Sequence, residues 1–141
     1  MKKTLLVVLA AWLLLVGSEW LLEQVGGPAP AGDVAQLADS ALVVQNVAVR
    51  DLDGQVAWRG DVDLAPVLAR IERGERDPHR NDGGVFHNRE GRLPDQPRGH
   101  YREYVIRTPG INHAGPQRLV VGRDGEVFYT SDHYRSFRRI Q

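Results

Sequence analysis

The feature that most restricts this chain is a change of period at Gly74. Before it, Leu64, Val67, Leu68 and Ile71 recur at i, i+3, i+4 and i+7, the spacing of one helix face. Asp63 stands where a cap belongs, Pro66 fits only the first turn, and Gly74 follows the last periodic residue. After Gly74 no helical period returns. Short β-rich runs take over: Val85-Phe86-His87, Tyr101 to Arg107, Gln117 to Gly122, Glu126 to Thr130 and Ser136 to Ile140. Turn residues separate them, namely Gly91 with Pro94 and Pro97, then Pro109-Gly110, then Asp124-Gly125. Arg123-Asp124-Gly125 between two such runs signals a hairpin. Upstream, Val43 to Arg50 and Gln55 to Trp58 flank Asp51-Leu52-Asp53-Gly54, a second hairpin signal. The fold class is therefore α+β, with one N-terminal helix packed on a small antiparallel β-sheet.

A chain of 141 residues has room for one such domain and a leader. Lys2, Lys3 and Thr4 precede a 12-residue apolar run, Leu5 to Val16. That is the pattern of a secretory signal. Twelve helical residues rise about 18 Å, short of a hydrocarbon core of roughly 30 Å. Counting on through Trp20, Leu21 and Leu22 leaves a retained membrane anchor as the alternative. The expected organisation is a signal peptide or anchor over 1–31, an N-terminal extension with a hairpin over 32–60, and the main domain over 61–141. The expected location is outside the cytoplasm, secreted, with membrane attachment only if the leader is retained.

There is no cysteine, which excludes disulfide scaffolds, thiol nucleophiles and cysteine metal sites. No carboxylate cluster or histidine spacing reads as a metal site, and no cofactor is called for. The 18 basic and 18 acidic residues cancel, which excludes a polycation that coats nucleic acid. Their distribution is uneven. Gly32 to Gly83 holds six Arg against ten acids, a net of −4; Arg98 to Gln141 holds eight Arg against four acids, a net of +4. An anionic ligand belongs on the second half.

Strand parity sorts the polar residues. If Tyr104, Ile106, Leu119 and Val121 face the helix, Glu103 and Arg118 stand together on the opposite sheet face. A carboxylate and a guanidinium so placed can be a cross-strand ion pair as readily as a site.

Two strings go further: Val85-Phe86-His87-Asn88-Arg89-Glu90-Gly91-Arg92-Leu93-Pro94, and Tyr129-Thr130-Ser131-Asp132-His133-Tyr134-Arg135-Ser136-Phe137. With Tyr101-Arg102-Glu103-Tyr104 and Thr108-Pro109-Gly110 between them, they resemble the guanyl-specific microbial ribonucleases, the barnase/binase and Streptomyces secreted type. The resemblance spans Asp63 to Gln141. It implies Glu103 as general base, His133 as general acid and Arg118 as the arginine that holds the phosphate. It implies Asn88, Arg89 and Glu90 as a guanine-recognition loop, Tyr134 as the aromatic closing the site, and Phe86 as the wall beneath the base. The implied substrate is single-stranded RNA cut after guanosine through a 2′,3′-cyclic phosphate, with DNA uncut because it lacks the 2′-hydroxyl. A monomer is expected, and an acidic, barstar-like inhibitor protein is the partner that the resemblance adds.

The pattern departs at two places. Bacterial relatives carry a further arginine where this chain has Ala114, and His113 beside it is the candidate to substitute in part on the phosphate. His87 replaces a Ser or Gln, leaving its base contact open. The missing arginine keeps a second function in view, a catalytically weakened module that binds RNA or guanine nucleotides.

Overall fold

The structure is a computed structural model that describes residues 42–141. The expected leader over 1–31 and the first ten residues of the expected extension, 32–41, lie outside the described residues. β1 (Val43–Arg50) and β2 (Val56–Asp63) form an antiparallel hairpin around the Asp51–Gln55 turn. The turn is closed by Gly54 N–H donating to the Asp51 carbonyl at 2.9 Å and by Gln55 N–H donating to Asp53 Oδ1 at 2.9 Å. Gly54 sits at φ 82°, a left-handed conformation that glycine adopts without steric cost. Where the register slips, between Val44 and Val47, Asn46 takes φ 55° and its N–H is satisfied by the Asp61 carboxylate.

Helix α1 (Ala65–Glu72) follows directly. The N-cap position is Leu64, one residue later than Asp63, because β2 runs on to Asp63. The Asp63 carboxylate still accepts from the Ala65 N–H at 2.9 Å, so it satisfies one orphan helix donor from one position upstream. Pro66 stands in the first turn, and Gly74 closes the far end at φ 70°.

The remaining strands form a five-stranded antiparallel meander in sequence order: β3 (Gly84–Val85), β4 (Tyr101–Val105), β5 (Arg118–Gly122), β6 (Val127–Thr130) and β7 (Arg138–Arg139). All five are shorter than the runs that predict them, β5 and β6 by one residue at the start and the other three each in its own way. β3 ends at Val85, although Phe86 N–H still donates to the Tyr101 carbonyl at 3.0 Å, and by Asn88 the chain has turned left-handed at φ 48°. β4 ends at Val105, and Arg107 turns away to pair with Asp77 at 2.6 Å. β7 keeps only two of its five predicted residues.

The sheet has two unlike faces. On one, Leu119, Val127, Tyr129 and Ile106 pack with Val44, Val47, Val49 and Val62 of the hairpin and with Leu64; Val67, Leu68 and Ile71 of α1 pack against that cluster. The other carries a smaller cluster, Leu93, Tyr101, Val120 and Phe128, with Phe86 and Phe137 against it. Alternation places Glu103 and Arg118 on this second face, because their β4 and β5 neighbours Tyr104 and Leu119 point into the main core. Buried Asp82 ties α1 to the end of β4. Its carboxylate accepts from Arg70 at 2.8 Å and from the Val105 N–H at 2.7 Å. Burial pushes the Asp82 carboxyl up, but these donors and the Asp77 N–H hold it below the usual carboxylate range.

Candidate active site

Glu103 lies in the middle of the sheet, paired with Gly84 on one side and Val120 on the other. Two flanking strands fix its backbone, so its half-buried side chain stands on the minor-core face in a set direction. Its carboxylate accepts a hydrogen bond from the Tyr134 hydroxyl. Burial, then this bond, pushes the Tyr134 phenol far above its ordinary value, so Tyr134 stays a donor.

Arg118 opens β5 across from Val105, one same-face step along from the partner of Glu103. Only 4% of its surface is exposed. One terminal nitrogen, Nη1, is held by three backbone carbonyls: Gly115 and Gln117 at 2.7 Å each and Ala114 at 3.5 Å. Its Nε–H is buried with no hydrogen-bond partner. Burying an N–H of a charged group without an acceptor is costly. An anion bound at that face would remove the cost.

His133 and Tyr134 reach the same place from the turn after β6. Both are left-handed, at φ 56° and φ 70°, which non-glycine residues seldom adopt. A small network holds them there. His133 N–H donates to the Pro116 carbonyl at 3.1 Å, and Tyr134 N–H donates to Thr130 Oγ1 at 3.1 Å. The Asp132 carboxylate accepts from Thr130 Oγ1 at 2.9 Å, and from Ser136 N–H at 2.9 Å and Oγ at 2.6 Å. His133 is exposed, yet desolvation and then the Arg118 guanidinium pull its pKa below the ordinary imidazole value. Glu103 pulls it up; Arg135 and His79 add to the downward pull. The imidazole thus feels Arg118 and Glu103 at once.

Phe86 connects this group to the second string. Its ring centroid lies 5.2 Å from Tyr134 and 5.8 Å from Phe137, and Tyr134 in turn lies 4.7 Å from the His133 ring. Beyond Phe86 the chain makes a tight loop that Asn88 closes on itself. Asn88 Nδ2 donates to the Leu93 carbonyl at 2.8 Å, Leu93 N–H donates to Asn88 Oδ1 at 3.0 Å, and Gly91 N–H donates to the Asn88 carbonyl at 2.9 Å. The Asn88 side chain is therefore committed to the loop. His87, Arg89 and Glu90 are exposed, and Glu90 Oε2 accepts from Arg92 Nε at 2.7 Å.

The structure thus brings Glu103, Arg118, His133, Tyr134 and Phe86 together and sets the Asn88–Glu90 loop next to them. It does not bring His113 there. Both ring nitrogens of His113 are engaged elsewhere, Nδ1 by the Gly115 N–H at 3.1 Å and Nε2 with Asp51 Oδ1 at 3.2 Å. Sequence reading missed the residues that hold the His133 turn. The Asp132-to-Ser136 spacing, typical of side chains that bond the backbone a turn away, was the available signal. It also missed Gln117, 1% exposed, which joins Thr108 and Tyr129 beneath the Arg118 loop. Among the described residues, His100, Asp124 and Glu126 place one ligand atom each within 4.8 Å of one another at the β5–β6 turn. There, His100 Nε2 already meets both oxygens of Glu126 at 3.2 Å.

A family profile described as ribonuclease matches residues 62–141. The chain belongs to the ribonuclease family. It is 54% identical over 68 residues to guanyl-specific ribonuclease St of Saccharopolyspora erythraea, covering 48% of this chain and 67% of that one. It is 45% identical over 64 residues to guanyl-specific ribonuclease Sa of Kitasatospora aureofaciens, covering 45% of this chain and 67% of that one. The fold is similar to a solved structure of ribonuclease Sa2 in complex with mononucleotides, at a TM-score of 0.52 and 34% identity over 67% of this chain and 95% of that one. The α+β arrangement expected from the change of period is thus that of a ribonuclease.

Proposed function

We propose that this ribonuclease is a guanyl-preferring endoribonuclease that cleaves single-stranded RNA 3′ of guanosine by transphosphorylation. The observation that carries the reading is the meeting of a carboxylate, an imidazole and a buried guanidinium with an unpartnered N–H on one sheet face. RNA supplies its own nucleophile, so the protein needs one group to take a proton, one to give a proton, and fixed positive charge around the phosphorus. Glu103 takes the proton of the ribose 2′-hydroxyl. The 2′-oxygen attacks phosphorus, the bond to the 5′-oxygen of the next nucleotide breaks, and protonated His133 supplies that oxygen's proton. The products are a 2′,3′-cyclic phosphate and a free 5′-hydroxyl. Hydrolysis of the ring runs the two groups in reverse with water as nucleophile. Arg118 donates Nε–H to the phosphoryl oxygens as charge grows on them. Tyr134 holds the Glu103 carboxylate by its hydroxyl and flanks the nucleotide with its ring.

Guanine presents two adjacent donors, N1–H and the exocyclic amine, which the Glu90 carboxylate accepts together, with backbone N–H groups at Asn88 and Arg89 available to O6. Phe86 forms the wall of the base site. Adenine would set an acceptor against the carboxylate. Because the base is read on its pairing edge, the RNA must be single-stranded there, and DNA, lacking the 2′-hydroxyl, is not cut. The proposed setting is outside the cytoplasm, reached through the Leu5–Val16 leader, with the protein acting as a monomer. The net positive second half suits an acidic inhibitor protein of barstar type.

The decisive experiment is incubation of the protein with defined GpN and ApN dinucleotides, wild type beside Glu103→Gln. The expected result is a guanosine 2′,3′-cyclic phosphate product that forms fast on GpN, slowly on ApN, and barely at all with the variant. Guanine-nucleotide binding without cleavage would replace this reading with that of a binding module.

A further inference from the structure

Arg118 is aimed by backbone, not by another side chain. Three carbonyls at positions 114, 115 and 117 grip its Nη1, and the carbonyl between them, Pro116, accepts the His133 N–H. One five-residue stretch, 113–117, therefore sets the position of both the guanidinium and the backbone of the imidazole residue. Its two ends are secured differently. At the far end, Gln117 is buried and anchored by Thr108 and Tyr129. At the near end, Asn112 and His113 are exposed, and Gly115 sits at φ 62°. Upstream, Ile111 packs on the main core and donates its N–H to the Thr108 carbonyl at 3.2 Å; between Ile111 and Arg118's carbonyl partners, the His113 ring ties the loop down. The Gly115 N–H makes Nδ1 an acceptor, so the neutral ring carries its proton on Nε2 and donates it to Asp51.

Asp51 belongs to the hairpin turn, outside the span 62–141 that matches the ribonuclease family. That turn is a firm anchor: Asp51 N–H donates to the Gln55 carbonyl at 2.9 Å, the Gly54 N–H returns to the Asp51 carbonyl, and Arg50 Nη1 donates to the Gly54 carbonyl at 2.9 Å. The hairpin itself is fixed by Val44, Val47, Val49 and Val62 in the main core.

We propose that the hairpin turn is a latch on the ribonuclease site: Asp51, through His113 and the 113–117 loop, positions Arg118 and the backbone of His133. The inference rests on the ribonuclease reading above. It gives the hairpin a task beyond packing and makes Asp51 and His113 positioning residues. It also suits the loss of an arginine at Ala114, because a site with one guanidinium fewer depends more on how the remaining one is held.

The test uses the full chain and three substitutions, Asp51→Ala, Asp51→Asn and His113→Ala. Asp51→Asn keeps an oxygen that accepts from Nε2–H. Both partners are about 40% exposed, so the link is a weak one, and a fall in kcat of about two- to tenfold on GpN is expected for Asp51→Ala and His113→Ala. KM should change less, Asp51→Asn should stay near wild type, and the two alanine changes combined should cost no more than one. The Gly115 amide should exchange with solvent faster in both alanine variants, and the Arg118 Nε–H resonance should shift. Wild-type kcat and exchange in all three would overturn the latch. So would loss in His113→Ala with none in Asp51→Ala, which would make His113 act directly. Equal loss in Asp51→Asn and Asp51→Ala would also sink the hydrogen-bond link. An inactive wild type would instead remove the ribonuclease reading, and amide exchange at Gly115 would still decide the latch.

Discussion

Residues 88–93, on the proposed base side of the site, are closed by hydrogen bonds among themselves, whereas the proposed phosphate side is assembled from distant parts of the chain. Asn88 and Leu93, which close the loop after Phe86, are five residues apart. Tyr134 and Glu103, which meet on the phosphate side, are thirty-one apart. Arg118 and His133 join them from β5 and from the turn after β6, and the 113–117 loop supports both. A loop closed by local contacts keeps its shape wherever its anchoring strand is placed. A site assembled from three strands works only if every register is right, since a slip of one residue would turn Glu103 into the main core.

The difference can be broken from either side. The largest effect is expected from Glu103→Gln, a loss of about 10²- to 10⁴-fold in kcat with the GpN-to-ApN ratio unchanged, read by steady-state kinetics on both dinucleotides. A ratio that fell with the rate would mean that the two sides are not separable. Arg118→Gln should cost about 10²- to 10³-fold and also move the pH profile. His133 must be protonated to act as the acid, and its pKa lies below the ordinary imidazole value, chiefly through desolvation and then Arg118. The alkaline limb of the profile therefore falls early in the wild type. Removing the guanidinium should shift that limb to higher pH, and a limb that stayed in place would show that the cation does not act on His133.

On the base side, Glu90→Ala should lower discrimination between GpN and ApN by about 1–3 kcal/mol while leaving the rate on ApN nearly intact. The smallest expected effect is that of Asn88→Gly, which keeps the left-handed backbone and deletes the two side-chain bonds to Leu93. It should cost about 0.5–1.5 kcal/mol per bond in a denaturant melt and weaken guanine preference, with the pH profile unmoved. A shifted profile in Asn88→Gly would erase the distinction between the two sides.

The two sides also differed in how well they could be read in advance. Asn88 to Leu93 is legible as a string because the hydrogen bonds that close it are as local as its letters. The parity of β4 and β5 put Glu103 and Arg118 on one face for an equally local reason, the two-residue period of a strand. His113 shows where this stops. Its neighbourhood in the sequence suggested a phosphate contact, but its ring nitrogens are taken by Gly115 and by Asp51, a residue sixty-two positions away. No local pattern encodes that pairing. The left-handed turn at His133 and Tyr134 was hidden similarly, since its φ values are held by Pro116, Thr130 and the Asp132 carboxylate together.

By itself, the sequence determined the order of elements, the inward and outward faces of the strands and the chemistry available on each, because periodicity and turn preference act within a few residues. Only the tertiary structure decided that a hairpin before the family region meets the loop that grips Arg118, and that an unpartnered guanidinium N–H is buried beside Glu103 and His133. Those outcomes depend on which surfaces pack together and which donors are then left without acceptors, and packing couples residues that the chain keeps far apart.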